Sequence, residues 1–306
     1  MRLQVNREHI TKVCDLKSAM RTQREVFENY YLGKAFLGPR AVLSQEENAQ
    51  FAYLARASKD GPTIVKYGTV FPNNPKIGMP AVQTSILVLD ARDGSVSHEF
   101  DGEAITELRT VAASMVAIDL FANPPKRVAV LGMGHQGIAH AKAIRENYQS
   151  AEIIGITHRV DVPNSPSFDR VTNKREFIQE CDLVIAATSS MTPIVTEPLS
   201  PGATCISIGS FSPNRSEVSE RALQAASRVI VDDVATAQQQ CGAIYQYKNH
   251  AKQNWTQIEG IGEVIAAKSG RSNENEVIYY FSVGLGIQDA ALILSLIHIS
   301  EPTRLG

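Results

Sequence analysis

The stretch VAVLGMGHQGIAHAKAIREN, Val128 to Asn147, decides how the chain is read. An apolar run of strand type breaks into three glycines, Gly132, Gly134 and Gly137, spaced G-x-G-x-x-G, and a helix-like segment follows. In a strand–turn–helix unit each glycine has its own task. The first permits the tight turn, the second lets the backbone approach a pyrophosphate, and the third lets the helix pack closely on the strand. Unpaired N–H groups at the helix start then face the phosphate. The spacing alone is common. Here the strand, the helix and a second strand all stand where it requires, so the segment is read as a dinucleotide site.

The second strand bears on the choice of dinucleotide. It ends in GITHRVD, which brings Thr157, His158 and Arg159 to the strand end. An NAD site normally carries an acid there for the ribose 2′-hydroxyl. None is present, and Arg159 is suited to a 2′-phosphate, so NADP is favoured over NAD. A shifted register that brings Asp161 to the ribose is the alternative. For His158, a phosphate contact and a plain exposed loop position both stay open.

Four further apolar runs follow the pattern of the first: AEIIGITH, CDLVIAATSS, ATCISIGS and RVIVDDV. Continuous rather than alternating apolar runs suit strands buried on both faces of a parallel sheet. The expected fold class is therefore α/β, with a Rossmann-type doubly wound domain over residues 123–282. Upstream, TSILVLDARDGSVSHEF predicts two strands joined at a tight Asp-Gly turn. GEAITELRTVAASMVAIDLFAN then predicts a helix, with Ile105, Leu108, Ala112, Met115 and Ile118 at helical spacing. Asn123-Pro124-Pro125 ends it and sets the expected boundary. Residues 1–122 are read as a separate α+β domain for substrate binding and dimerisation, and 283–306 as a C-terminal return to it. The string SLIHISEPTRLG resembles translated sequencing-adapter DNA, so residues 297–306 are expected to be non-native.

The bulk numbers narrow the function. Of 306 residues, 43% are hydrophobic and 20% charged, an ordinary globular balance. The net charge of −2 gives no electrostatic case for nucleic acid, and no Lys/Arg run appears. The opening MRLQVNREH has no apolar core of signal-peptide length and no stretch approaches the length of a membrane span, so a cytoplasmic location is expected. Cys14, Cys181, Cys205 and Cys241 are widely spaced and lack the pairing of a zinc site or a disulfide framework. They are read as buried small hydrophobes, and no metal is expected.

Taken together, DGSVSHEFDGEAITELRTVAAS, VAVLGMGHQG, GPRAVL, IVKYGTVFPNNP, PGATCISIGSFSPNRSEV and VIYYFSVGLGIQDAA resemble the ornithine cyclodeaminase and mu-crystallin family, in the right order and over most of the chain. The resemblance implies enzymes that act on carbon–nitrogen bonds beside a carboxylate with a bound nicotinamide, and it implies a homodimer formed by pairing of the N-terminal sheets. Arg40, Lys66 and Arg109 match the basic positions of the family's substrate pocket. A guanidinium grips a carboxylate bidentately, which suits Arg109. Lys66 lies in an apolar strand, where a charge needs a partner, and binding substrate or relaying a proton would use it. A lysine reaching solvent from a strand edge is the plainer alternative. Gln136 matches a cofactor-contacting position, and His135 beside it has only a local role in view. Thr188 is implied beside the cofactor, and Ser282 and Gly284 on its nicotinamide side.

Ser210 separates the branches. The cyclodeaminase has an aspartate there, and a hydroxyl is a poor general base at neutral pH. The resemblance therefore implies an NAD(P)H-dependent reductase of small cyclic α-imino acids, Δ1-pyrroline-2-carboxylate or Δ1-piperideine-2-carboxylate, with Lys66 and Ser210 managing the proton. Ornithine cyclodeaminase, alanine dehydrogenase and N-substituted amino-acid dehydrogenase stay open within the family. So does a non-enzymatic NADPH-binding protein of the mu-crystallin kind.

Overall fold

A computed structural model describes residues 2–158, 166–248 and 258–300. The chain divides into two compact units, one of Met1–Ala112 with Leu285–Gly306 and one of Ala113–Gly284. The division falls inside a helix, whereas the boundary expected from sequence follows that helix's end. Arg159 and residues 301–306 lie outside the described residues.

The first unit is built on a sheet of seven strands among the described residues: β1 (Leu3–Val5), β2 (Phe36–Leu37), β3 (Ala41–Gln45), β4 (Asn48–Arg56), β5 (Thr63–Val70), β6 (Val82–Leu89) and β7 (Val96–Asp101). Their order is β1-β7-β6-β5-β4-β2, with β3 also on β4. Only the β1–β7 pair is parallel. The expected hairpin is β6–β7. Gly94 has φ +74°, and its N–H donates to the Asp90 carbonyl at 3.0 Å. A left-handed residue is what such a turn needs, and glycine takes it without steric cost.

Period-two alternation sorts the sheet's faces. Tyr53 and Ala55 of β4, Ile64 and Lys66 of β5, and Ile86 and Val88 of β6 are buried. Two helices, α1 (Arg7–Val13) and α2 (Leu16–Tyr31), join the C-terminal helix Gly286–Ser300 in this unit, and the C-terminal helix packs on β4, β5 and α2. It comes close because Gly286 has no side chain. A Cβ there would lie 2.7 Å from the Tyr53 ring. On the opposite face Leu43, Leu54 and Tyr67 are exposed.

Helix α3 (Gly102–Phe121) follows β7 directly, and the Asp101 carboxylate accepts from the N–H groups of Glu103 and Ala104. That caps the helix start and places Thr106 and Arg109, three apart, on one side of it.

The second unit carries eight parallel strands among the described residues: β8 (Arg127–Leu131), β9 (Glu152–Ile156), β10 (Arg170–Thr172), β11 (Leu183–Ala186), β12 (Thr204–Ser207), β13 (Arg228–Val231), β14 (Ile258–Gly260) and β15 (Ile278–Phe281). The order β10-β9-β8-β11-β12-β15-β13-β14 reverses direction between β8 and β11. Ligands of doubly wound sheets bind at the carboxyl ends of the strands at such a reversal. All five runs picked out as strands are strands, and those at the sheet centre are buried throughout, as continuous apolar sequence requires. The short strands β10 and β14 have no comparable apolar run and are not among those five, and neither is β15, although its sequence IYYF is apolar. Among the described residues no helix is long and apolar enough to cross a membrane.

Candidate functional site

In the first unit three distant parts of the chain meet on one carboxylate. Asp289 is fully buried near the start of the C-terminal helix. One of its oxygens, Oδ1, accepts from Lys66 Nζ at 3.0 Å and from Arg109 Nε at 3.3 Å. The other, Oδ2, accepts from the Tyr53 hydroxyl at 2.8 Å. Lys66 Nζ also donates to Thr106 Oγ1 at 2.5 Å, and the Thr106 hydroxyl donates onward to the Gly102 carbonyl at 2.6 Å. The Arg109 Nη1 group donates to Gln288 Oε1 at 3.4 Å. That same oxygen takes the Leu285 N–H at 2.7 Å, so Gln288 caps the helix while it orients the guanidinium. Arg40 stands with its guanidinium 5.2 Å from the centre of the Tyr53 ring.

The charges do not balance. Lys66 is 3% exposed, Arg109 8% and Asp289 0%, so among the described residues two cations share one anion away from water. Burial pulls the Lys66 ammonium down to about 8, against the pull of Asp289 in the other direction, and the Arg109 charge lowers it further. Burial pushes the Asp289 carboxyl up, but the Lys66 and Arg109 charges and the Tyr53 and Lys66 hydrogen bonds outweigh it and hold the group below its ordinary value. Burial and the Asp289 charge push the Tyr53 phenol well above its usual range, so it stays a neutral donor. A dry cluster with surplus positive charge is suited to an anionic ligand.

In the second unit the glycine turn leads from β8 into helix α4 (His135–Asn147). Gly132 has φ +89°, and a Cβ there would lie 2.6 Å from the Ala187 carbonyl oxygen. A Cβ on Gly137 would fall 1.8 Å from the Gly132 carbonyl oxygen. Both positions are closed to any larger residue. Gly134 is the opposite case, since among the described residues nothing lies within 4 Å of where its Cβ would be. That space is open to a ligand. Gln136 Oε1 is buried and has no hydrogen-bond partner among the described residues. This cradle fits a dinucleotide phosphate. His135 is exposed at the helix start. His140, one turn on, is fully buried, and burial pushes its imidazole down to about 4. Its neutral ring joins the Gln136 carbonyl to the Ser114 hydroxyl.

The other expected cofactor-side residues sit on turns held by buried carboxylates. Thr188, after β11, donates its N–H and its hydroxyl to Glu217 Oε1 at 2.6 and 2.8 Å. Glu217 Oε2 accepts from the Gly209 N–H and the Ser207 hydroxyl, which ties the turns after β11 and β12 together. Ser282, Val283 and Gly284, after β15, all donate to Asp232 Oδ2 at 2.8–3.2 Å. Burial pushes Asp232 up to about 6 and raises Glu217 too, against the pull of these donors.

Ser210, expected from sequence to help manage the proton, is hydrogen-bonded within the turn after β12. Its Oγ accepts from the Glu217 N–H at 3.0 Å and lies 3.1 Å from Ser207 Oγ. Because Ser207 gives its proton to Glu217, the Ser210 proton goes to Ser207, and the group is 1% exposed. At the end of β9, the Thr157 N–H donates to the Thr172 carbonyl, and His158 Nε2 accepts from Arg175 at 2.8 Å.

Lys66, Arg109 and the three glycines, expected from sequence, lie in these clusters; Tyr53, Thr106, Gln288, Asp289, Glu217 and Asp232 are not among the residues expected. A signal for Asp289 was present. A lysine inside an apolar strand requires an acid, and Asp289 is the one acid in the apolar segment GIQDAALILSLIHIS.

Comparison with known proteins agrees with this architecture. Δ1-Pyrroline-2-carboxylate reductase of Bacillus thuringiensis subsp. konkukian is 29% identical over 240 residues, covering 74% of this chain and 73% of that one. The fold is shared with the Thermococcus litoralis Δ1-pyrroline-2-carboxylate reductase solved with NADH and L-proline (TM-score 0.86, 23% identity, 98% of each chain). It is also shared with an archaeal alanine dehydrogenase dimer with bound NAD (TM-score 0.88, 24% identity, 100% of this chain and 98% of that one). The profile of one family matches residues 2–299, nearly the whole chain, and the chain belongs to that family, the ornithine cyclodeaminase/mu-crystallin family.

Proposed function

We propose that this chain is an NAD(P)H-dependent reductase of small cyclic α-imino acids, converting Δ1-pyrroline-2-carboxylate or Δ1-piperideine-2-carboxylate to proline or pipecolate. The surplus positive charge of the Lys66–Arg109–Asp289 cluster carries the reading. A cyclic α-imino acid supplies the missing negative charge through its carboxylate. Arg109 has Nε on Asp289 and Nη1 on Gln288, so its Nη2 group is the one left for that carboxylate. Arg40 adds a second cation near Tyr53. Lys66, buried and poised at about 8, is the proton donor to the imine nitrogen. Ser210 is assigned to the turn and not to the proton, since its own proton is already placed.

A bound nicotinamide supplies the hydride for the C=N carbon. Gly132, Gly134, Gly137, the start of α4 and Gln136 are the residues that hold the dinucleotide, with Thr188, Ser282 and Gly284 on turns that border it. His135 takes a local part. The preference for NADP over NAD rests on the strand end, where Ile156, Thr157 and His158 offer no carboxylate and Arg175 adds a cation beside His158; Arg159 is assigned with them from sequence. A homodimer formed through the exposed face of Leu43, Leu54 and Tyr67 completes the reading, supported by the dimeric alanine dehydrogenase of the same fold. The domain limits proposed from sequence, 1–122, 123–282 and 283–306, follow the same division of labour.

The test follows NADPH and NADH oxidation with the two cyclic imines, wild type against Arg109→Ala. The expected result is turnover by the wild type and a loss of ~100-fold or more in kcat/KM for the variant, the scale of removing a charged partner from a buried pair. Dinucleotide binding without turnover of either imine would remove the cyclic-imine assignment, and pyruvate with ammonia would be the next substrate pair.

A further inference from the structure

We infer that Asp289 and Thr106 are positioning residues that together occupy two of the three ammonium protons of Lys66, leaving one N–H as the only proton it can deliver. The inference rests on the imino-acid reading above and deepens it. An ammonium nitrogen has three N–H bonds in fixed tetrahedral directions. One points at Asp289 Oδ1, 3.0 Å away, and one at Thr106 Oγ1, 2.5 Å away. Thr106 cannot reverse the second bond, because its own hydrogen is committed to the Gly102 carbonyl at 2.6 Å. Asp289 cannot turn away from the first, because Tyr53 holds its other oxygen and Arg109 shares the same one.

The chemistry follows from that count. When the third proton passes to the imine nitrogen, the neutral amine keeps two N–H bonds, the two already made. The new lone pair points along the direction the proton left. No hydrogen bond has to break or form elsewhere, so the donor needs little reorganisation during the transfer. The balance is simple: the substrate nitrogen gains the proton that Lys66 loses, the carbon gains the hydride, and Lys66 regains its proton from solvent afterwards.

The charged groups that face Lys66 are Asp289 from the C-terminal helix, Arg109 from α3 and Arg40 from the β2–β3 connection; Tyr53 of β4 faces it as a neutral phenol. Asp289 is the one that favours the charged form, so its removal lowers the Lys66 pKa below about 8.

Two measurements test this. The first is the Lys66 titration followed by 13C NMR of lysine Cε in wild type, Asp289→Asn and Thr106→Val, which needs no substrate. Asp289→Asn is expected to shift the midpoint down by about one unit or more. The second is the pH profile of kcat with a cyclic imine. Thr106→Val is expected to lower kcat ~10–100-fold, the range of a misoriented acid, with KM within about twofold, and Thr106→Ser to restore it. An unmoved Lys66 titration in a folded Asp289→Asn protein would overturn the inference, as would wild-type kcat in Thr106→Val. Full kcat in Lys66→Met would overturn it differently, by removing Lys66 as the donor and with it that part of the proposed function.

Discussion

The molecule buries carboxylates in two ways, and the contrast separates chemistry from scaffolding. In the first unit Asp289 is surrounded by Lys66, Arg109 and the Tyr53 hydroxyl. In the second unit Glu217 and Asp232 are just as deeply buried, but their partners are backbone N–H groups and serine or threonine hydroxyls. Cations hold Asp289 below its ordinary pKa, while burial pushes the other two above theirs. Neutral donors can fix a turn without creating a charge that a ligand could answer. A cationic surround leaves positive charge over. Only the first arrangement invites an anionic substrate, although all three residues are acids at the edge of an apolar core.

The largest effect should come from breaking the charged side. Asp289→Ala strands two buried cations and is expected to cost about 3–5 kcal/mol of stability, read from denaturant midpoints of the apo protein. A loss under 1 kcal/mol would mean that water or a rearranged side chain already screens the cluster.

The second way to sharpen the contrast is pH. Asp232 titrates near 6 in the folded chain and near 3.8 when unfolded. The folded state therefore holds the extra proton between these values, and the stability linked to Asp232 is full below the lower value and is lost as pH rises through the upper one. The size is about 2–3 kcal/mol. Asp289 has the reverse sign: its contribution is present above the unfolded value and fades as pH falls through the lower folded one. Asp232→Asn should flatten the slope of stability between about pH 4 and 6. A slope unchanged by that substitution would show that Asp232 is ionised in the folded state at low pH after all.

The smallest effect is expected from Glu217→Gln. One oxygen still accepts, but an amide nitrogen now faces either the Thr188 donors or the pair from Ser207 and Gly209. Leaving that pair unmet costs about 1–3 kcal/mol and loosens the turn it held. The measurement is the thermal midpoint, with dinucleotide affinity read alongside it. A change in affinity larger than the change in stability would place the turn against the cofactor.

The two regions also differ in how far sequence reveals them. The second unit was legible because its signals are local: the glycine turn, the continuous apolar strands and the connections between them all lie within short windows. The Asp-Gly hairpin and the amphipathic spacing of α3 were legible for the same reason. Lys66 stood out as a charge in an apolar strand, but its partner lies 223 residues away, and no periodicity links the two. Glu217 was hidden inside SPNRSEV, where an acid among polar residues looks like ordinary solvated loop. Ser210 was noticed for its identity, whereas its use depends on which neighbour already owns each proton.

The long reach of Asp289 has a consequence for how the protein comes into being. Tyr53, Lys66 and Arg109 leave the ribosome early, and the residue that neutralises part of the charge of the two cations comes 180 residues after Arg109. The parallel sheet of Ala113–Gly284 is complete before that point. The N-terminal half must wait, its apolar face unfinished and its cations without a counter-charge, until the last helix is synthesised. Closing so long a loop is slow even when its entropic cost is modest. The cationic centre is thus assembled only after the parallel sheet has been synthesised, and it is available to chaperones and proteases until then.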